Sequence, residues 1–205
     1  MDEIGLFPLD LVLLPGEQRP LHIFEDRYKE LIGECLEDGN EFGLVLSDDA
    51  GLRPVGTRAA VVEVLQTFDD GRLDVVVEGR DRFRVVELTD GRTFTTAEVD
   101  EIDDEAEEDA TDDEVSSAVE AFRRVVEAAQ VEVDEIDPEA GLLSFQIGAR
   151  IDLGNEVKQT LLELTSERER LTQLEPLLRR AAEAVRVDRE VRERASGNGR
   201  VEPLP

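Results

Sequence analysis

Short apolar runs separated by turn-forming residues dominate the amino-terminal half of the chain, a pattern of strands rather than helices. Ile4-Gly5-Leu6-Phe7-Pro8-Leu9 and Leu11-Val12-Leu13-Leu14 are two such runs, the second stopped by Pro15-Gly16. Residues 18–23 read as extended, with Pro20 marking an edge or irregular position. Phe42-Gly43-Leu44-Val45-Leu46 has the continuous apolar character of a buried strand and ends in the turn cluster Ser47-Asp48-Asp49-Ala50-Gly51. Residues 55–67, rich in Val and Thr, meet Leu73-Asp74-Val75-Val76-Val77 across Asp69-Asp70-Gly71, the strongest hairpin signal in the chain. Residues 82–88 and 93–99 flank Asp90-Gly91 as a second hairpin. Strands at this spacing predict a small barrel or a strongly bent sheet.

Helical periodicity interrupts the strands once and then takes over. Tyr28, Leu31, Ile32, Cys35 and Leu36 form one apolar stripe, with Glu25 and Asp26 at the favourable end of the helix dipole and Gly39-Asn40 as its stop. Further on, Val115, Ala118, Val119, Phe122, Val125, Val126 and Ala129 keep helical spacing. Asp137-Pro138 reads as a helix start that residues 142–151 continue. Gly154-Asn155 separates the next helix, with Val157, Leu161, Leu162 and Leu164. Ser166 and Glu169 fit a capping box before a long last helix, which Pro176 is expected to kink or restart. The fold class is therefore α+β, a small β-barrel lobe with one helix followed by a helical-bundle lobe. The expected boundaries are 1–100 for the β-rich lobe, 101–114 for an acidic linker or loop, 115–194 for the helical lobe and 195–205 for a disordered tail.

Charge narrows the classes of partner. The 205 residues hold 51 Asp plus Glu against 23 Lys plus Arg, a formal net charge of −28. Such a surface opposes a phosphate backbone, so no nucleic-acid partner is expected. No run of about 20 apolar residues occurs, so no membrane span is expected. The opening Met1-Asp2-Glu3 lacks the basic flank of a secretory signal, which points to the cytoplasm. The single cysteine, Cys35, excludes a disulfide within one chain and any cysteine-built zinc site. The acidic stretch 101–114 lacks the ligand register of a calcium loop and reads as a solvated linker.

Several segments resemble a known family. Leu6-Phe7-Pro8-Leu9, Val12-Leu13-Leu14-Pro15-Gly16 and the run from Pro20-Leu21-His22-Ile23-Phe24 through Glu25-Asp26-Arg27-Tyr28 resemble the opening of the Lon protease amino-terminal, or substrate-binding, domain. Phe42-Gly43-Leu44-Val45-Leu46, Val55-Gly56-Thr57, Gly79-Arg80-Asp81-Arg82-Phe83-Arg84-Val85, Lys158-Gln159-Thr160-Leu161-Leu162-Glu163 and Arg170-Leu171 follow in the order of that family. The resemblance implies a PUA-like barrel for the front lobe and a role in binding protein substrates or partners. The sequence contains no G-x-x-x-x-G-K-[ST] phosphate loop, and neither Lys29 nor Lys158 stands in a Ser–Lys dyad context. The resemblance thus implies the recognition module in a stand-alone form, without ATPase and peptidase modules.

The candidate chemistry agrees with a non-catalytic protein: no catalytic residue, metal site or cofactor is assigned. His22, the only histidine, is expected to pack at a strand-to-helix junction with a ring nitrogen on backbone. Cys35 reads as core filler. Arg80, Arg82 and Arg84 alternate along one strand and are expected on one face, where they either orient a bound peptide or pair with the chain's own carboxylates. The expected partner is a protein or peptide, an unfolded client or a protease, captured in a groove between barrel and helix. Phe24, Arg27 and Tyr28 are its candidate contacts, with Arg80 and Arg82 as orienting cations. An ATP-independent peptidase-like hydrolase and RNA binding through the PUA-like lobe are the alternatives.

Overall fold

A computed structural model of the chain describes residues 2–105 and 110–197. Its strands and first helix are β1 (Asp2–Leu9), β2 (Gln18–Ile23), α1 (Asp26–Asp38), β3 (Phe42–Asp48), β4 (Gly51–Thr67), β5 (Leu73–Thr89) and β6 (Thr96–Ile102). They form one sheet in the order β2-β5-β4-β3-β1-β6, and a further pairing of β5 with β6 closes the last five strands into a barrel. Only β1 and β3 run parallel among the paired strands; the other ladders are antiparallel. The α+β class and the barrel are as the sequence pattern predicts. Helix α1 packs Tyr28, Leu31, Ile32 and Cys35 against Phe7, Phe42, Leu44, Val75 and Val77, and Gly39 ends it in the left-handed region at φ 70°.

Two expected strands, around 73–77 and 82–88, are one strand of 17 residues, β5. Its first half pairs with β2 and its second half with β6. At the changeover the Gly79 amide donates to the Glu17 carbonyl (2.9 Å), and the Gly79 carbonyl accepts from the Gly16 amide (2.8 Å). A side chain at 79 would overlap the Leu14 backbone, so glycine is required by close approach rather than by its dihedral angles.

The run Leu11-Val12-Leu13-Leu14 is not the strand its composition suggests. Val12, Leu13 and Leu14 are buried without a strand ladder, and side chains take backbone groups of Leu13 and Leu14. The Leu14 amide donates to Glu17 Oε2 (3.0 Å), and Thr57 Oγ1 donates to the Leu13 carbonyl (2.6 Å). Glu17, 2% exposed, also accepts from Arg19 Nε (2.7 Å) and Lys158 Nζ (2.6 Å).

By internal contacts the chain divides into two units, Met1–Ala106 with Ser144–Thr165, and Glu107–Leu143 with Ser166–Pro205. Helices α3 (Leu143–Arg150) and α4 (Asn155–Glu163) therefore go largely with the sheet and not with the rear helices as the sequence reading grouped them. Polar side chains explain this. Lys158 and Gln159 of α4 reach Glu17 Oε1 and the Val55 carbonyl, the latter at 3.1 Å. Arg82 donates to the carbonyls of Leu162 (3.0 Å) and Leu164 (2.6 Å) while pairing with Asp104.

In the second unit α2 (Asp112–Ala129) and α5 (Glu167–Gly197) run in the same direction, joined by Glu114–Arg168 (2.8 Å), Ser117–Glu175 (2.9 Å) and the Ala128 carbonyl to Arg189 (3.3 Å). Thr111 and Glu114 make a capping box. The Thr111 amide, Arg168 and the Thr111 hydroxyl hold the Glu114 carboxyl at about 2. Pro176 lies inside α5, which does not restart there. Asp137-Pro138 starts only a 3₁₀ turn (Pro138–Ala140). Gly141 and Leu142, at φ 77° and 48°, break the chain direction before α3 begins. The acidic stretch is likewise not uniform: Glu101 and Ile102 complete β6, the Glu105 amide donates to the Thr165 carbonyl (2.8 Å), and Asp112 opens α2. Residues 106–109 of the expected linker and 198–205 of the expected tail lie outside the described residues, while 195–197 belong to α5.

Lys158→Met leaves the buried Glu17 carboxylate without its ammonium partner. It is expected to lower the unfolding free energy by about 3–5 kcal/mol in urea titration. A loss below about 1 kcal/mol would contradict the assignment of this pair as buried and structural.

Candidate functional site

The pairing of β3 with β4 stops at Phe42 and Ala59, so residues 60–67 of β4 pair with β5 alone. With β2 on the other side of β5, the result is a three-stranded ribbon, β2-β5-β4, extending past the closed part of the barrel. One face supplies Ile23, Val75 and Val77 to the core, with Leu21, Val61 and Leu73 packed against it. Alternation then places Pro20, His22, Asp74 and Val76 on the outward face, where Pro20 opposes Val76 and His22 opposes Asp74.

Two bulges in β4 enrich this outward face. Between Val61 and Glu63 the register shifts so that Val62 and Glu63 share the place opposite Val76; between Val64 and Gln66, Leu65 and Gln66 share the place opposite Asp74. Both extra residues are exposed, Val62 at 42% and Leu65 at 52%. Phe24 follows β2 directly and is 60% exposed. Its ring stacks on His22 at 6.0 Å, and Phe68 meets His22 edge-on at 6.0 Å. The guanidinium of Arg72 covers the Phe68 ring at 4.9 Å, and His22 Nδ1 lies 2.5 Å from Asp74 Oδ1. An apolar ridge with aromatic rings at its hairpin end thus stands in water, which is uncommon without a binding role.

The residues singled out in the sequence are not brought together. Phe24 lies on the ridge, whereas Arg27, on α1, is stacked on Tyr28 (4.5 Å) and paired with Glu25 (2.8 Å). Tyr28 is 5% exposed and stacked on Phe7 at 4.0 Å, so it is a core residue; burial pushes its hydroxyl up against the opposing pull of Arg27. Arg80 sits beyond the other end of β2, paired with Glu78 at 2.5 Å. Arg82 is 4% exposed beneath the 162–164 backbone, which removes it as an orienting surface cation. The expectation of one arginine face fails because β5 gains an extra residue between Gly79 and Arg82, opposite Ala59 and Thr57. His22 bonds a carboxylate rather than backbone, on an exposed face rather than in a packed junction.

Sequence reading missed Val62, Leu65 and Phe68. The signal was present: Val61-Val62-Glu63-Val64-Leu65 is apolar at both parities, which one regular half-buried strand does not require. Elsewhere in this unit a cleft of about 580 Å³ opens beside Ile4, Leu31 and Phe94. Its cations are already paired, Arg58 with Asp2 (3.1 Å) and Arg92 with Glu34. Among the described residues, no cluster of three or more His, Cys, Asp or Glu is placed to hold a metal ion, and no helix is long and apolar enough to cross a membrane.

This fold agrees with the relationships of the sequence. Residues 3–180 match the model of the ATP-dependent protease La (LON) substrate-binding domain, and the chain belongs to that family. Lon protease 2 of Myxococcus xanthus is 28% identical over 205 residues, covering 92% of this chain and 25% of that protein. Lon protease of Escherichia coli K12 is 26% identical over 94% of this chain and 26% of its own length. The Lon N-terminal domain protein from Xanthomonas campestris superposes with a TM-score of 0.66 at 25% identity, over 85% of this chain and 97% of that one. The N-terminal domain of Mycobacterium avium complex Lon protease gives 0.64 at 21% identity, over 86% and 98%, a likeness of fold. The matched region is the non-catalytic substrate-binding one. The chain spans about a quarter of the length of these curated relatives, so their activity does not pass to it by similarity.

Cys35, 6% exposed, is core filler in the structure as well; burial first, then Glu34 and Asp38, push its thiol up to about 11. At pH 8 its reaction with a soluble disulfide reagent is expected to be at least about 100-fold slower in the native protein than in urea. Equal rates would contradict the buried placement.

Proposed function

We propose that this chain is a protein-recognition module that holds unfolded or apolar-exposing protein segments on the outward face of the β2-β5-β4 ribbon. The observation that carries the reading is the exposure of Phe24, Val62 and Leu65 on one ridge, the last two placed there by bulges. Covering such side chains contributes about 1.5–3 kcal/mol each when burial is complete, and several together give useful affinity for a segment of unspecified sequence. Family membership supports a protein as partner. The carboxylates Glu63, Asp69 and Asp74 around the ridge disfavour a nucleic-acid backbone there.

The test is binding of a fluorescently labelled, permanently unfolded protein, followed by anisotropy. Phe24→Ala and Leu65→Ser change exposed residues and are expected to leave folding intact while each weakens binding about 10-fold, or ~1.4 kcal/mol. Leu88→Ser, on the second half of β5 and 53% exposed, serves as control and is expected to change nothing. Parental affinity in both ridge variants, or equal loss in the control, would overturn the assignment.

A further inference from the structure

The ribbon has two free strand edges, and both are unsuited to accepting another strand. On β2 the sequence places Pro20 between Arg19 and Leu21, in the middle of the ladder to β5. A proline is tolerated in a ladder where its missing donor faces the open edge. The central donor of that edge is therefore absent, between the outward-directed groups of Gln18 and His22. On β4 the two bulges at Val62 and Leu65 interrupt the open edge twice within four residues and increase its local twist. Bulges and edge prolines are the devices by which natural sheets block edge-to-edge pairing. The apolar ridge is thus offered while the backbone beside it is withheld.

Charge on the ridge is as selective as its edges. Two cations stand at its hairpin end, and each is engaged by a neighbouring acid: Arg72, over Phe68, by Asp70 (2.8 Å), and Lys29, which also reaches the Asp70 carbonyl, by Asp26 (3.0 Å). Glu63 stands on the outward face itself and Asp69 in the hairpin turn. Among the described residues no cation pairs with either. Asp74 completes an acidic border, with His22 as its neighbour.

Resting on the reading of the ridge as a protein-recognition surface, we infer that its preferred occupant is a polypeptide segment in which apolar side chains alternate with Lys or Arg. The segment is held through its side chains and not as an added β-strand. Its apolar groups cover Phe24, Val62 and Leu65, and its cations lie toward Glu63, Asp69 and Asp74. Backbone hydrogen bonds contribute little, so the conformation of the bound segment is not constrained to a strand.

The experiment compares three labelled peptides of equal length and identical Phe and Leu content, titrated against the full chain. One carries lysines between the apolar residues, one carries glutamates, and the third repeats the lysine peptide with alternate backbone nitrogens methylated. The lysine peptide is expected to bind at least about 10-fold more tightly than the glutamate peptide at low salt, with the ratio shrinking as salt rises. Methylation is expected to change its affinity less than about threefold, because few backbone donors are used. Glu63→Gln with Asp69→Asn is expected to reduce the lysine preference at least about threefold. Asp100→Asn with Glu101→Gln, which removes the same charge from exposed positions on β6, is expected to leave it unchanged and so separates local from overall charge. Equal binding of lysine and glutamate peptides, equal effects of the two double variants, or loss of binding on methylation would overturn this inference and leave the recognition surface standing. Failure of all three peptides to bind would overturn both.

Discussion

Glu17 is the residue on which the architecture of the sheet unit depends. Its carboxylate, almost wholly removed from water, accepts from the Leu14 amide, from Arg19 and from Lys158, and its carbonyl accepts from the Gly79 amide. One side chain and one peptide group thereby fasten an irregular apolar loop, the start of β2, helix α4 and the midpoint of β5. A buried carboxylate is tolerated only when its oxygens are satisfied in this way. The consequence reaches the ridge. With its midpoint clasped at Gly79, β5 can serve the closed barrel with one half and the projecting ribbon with the other.

On the proposed function, the ribbon balances stickiness against safety. An apolar surface is useful for holding partners of varied sequence, since burial of nonpolar area is nondirectional. The same surface on a flat open edge would invite pairing with other copies of the chain. The bulges at Val62 and Leu65 serve both needs, turning apolar side chains toward water while spoiling the backbone beside them. The high density of carboxylates adds mutual repulsion between copies, consistent with a net charge of −28.

Much of this was legible from local pattern. The α1 stripe, the Asp69-Asp70-Gly71 hairpin and the edge position implied by Pro20 are decided by neighbours in sequence, and the structure has each of them. What escaped depends on distant partners. The loop 11–14 looks like a strand because its composition is apolar; that it is not one is decided by Glu17 and Thr57, which take its backbone groups. Arg82 looks like a surface cation because it alternates with Arg80, whereas one extra residue in β5 and the carbonyls of Leu162 and Leu164 place it inside. Of the contact set proposed from sequence, Phe24 reaches the ridge and Tyr28 is committed to the core, since helical periodicity shows which face is apolar but not how deeply it is covered.

The central claim is that the outward face of the ribbon is where this chain meets a protein segment. Residue-by-residue NMR shift mapping of the full chain, titrated with an unlabelled unfolded protein, addresses it most directly. The account predicts the largest changes at His22, Phe24, Val62, Leu65, Phe68 and Val76. Changes centred instead on β6, on the second half of β5 or on α5, with those six residues silent, would contradict it.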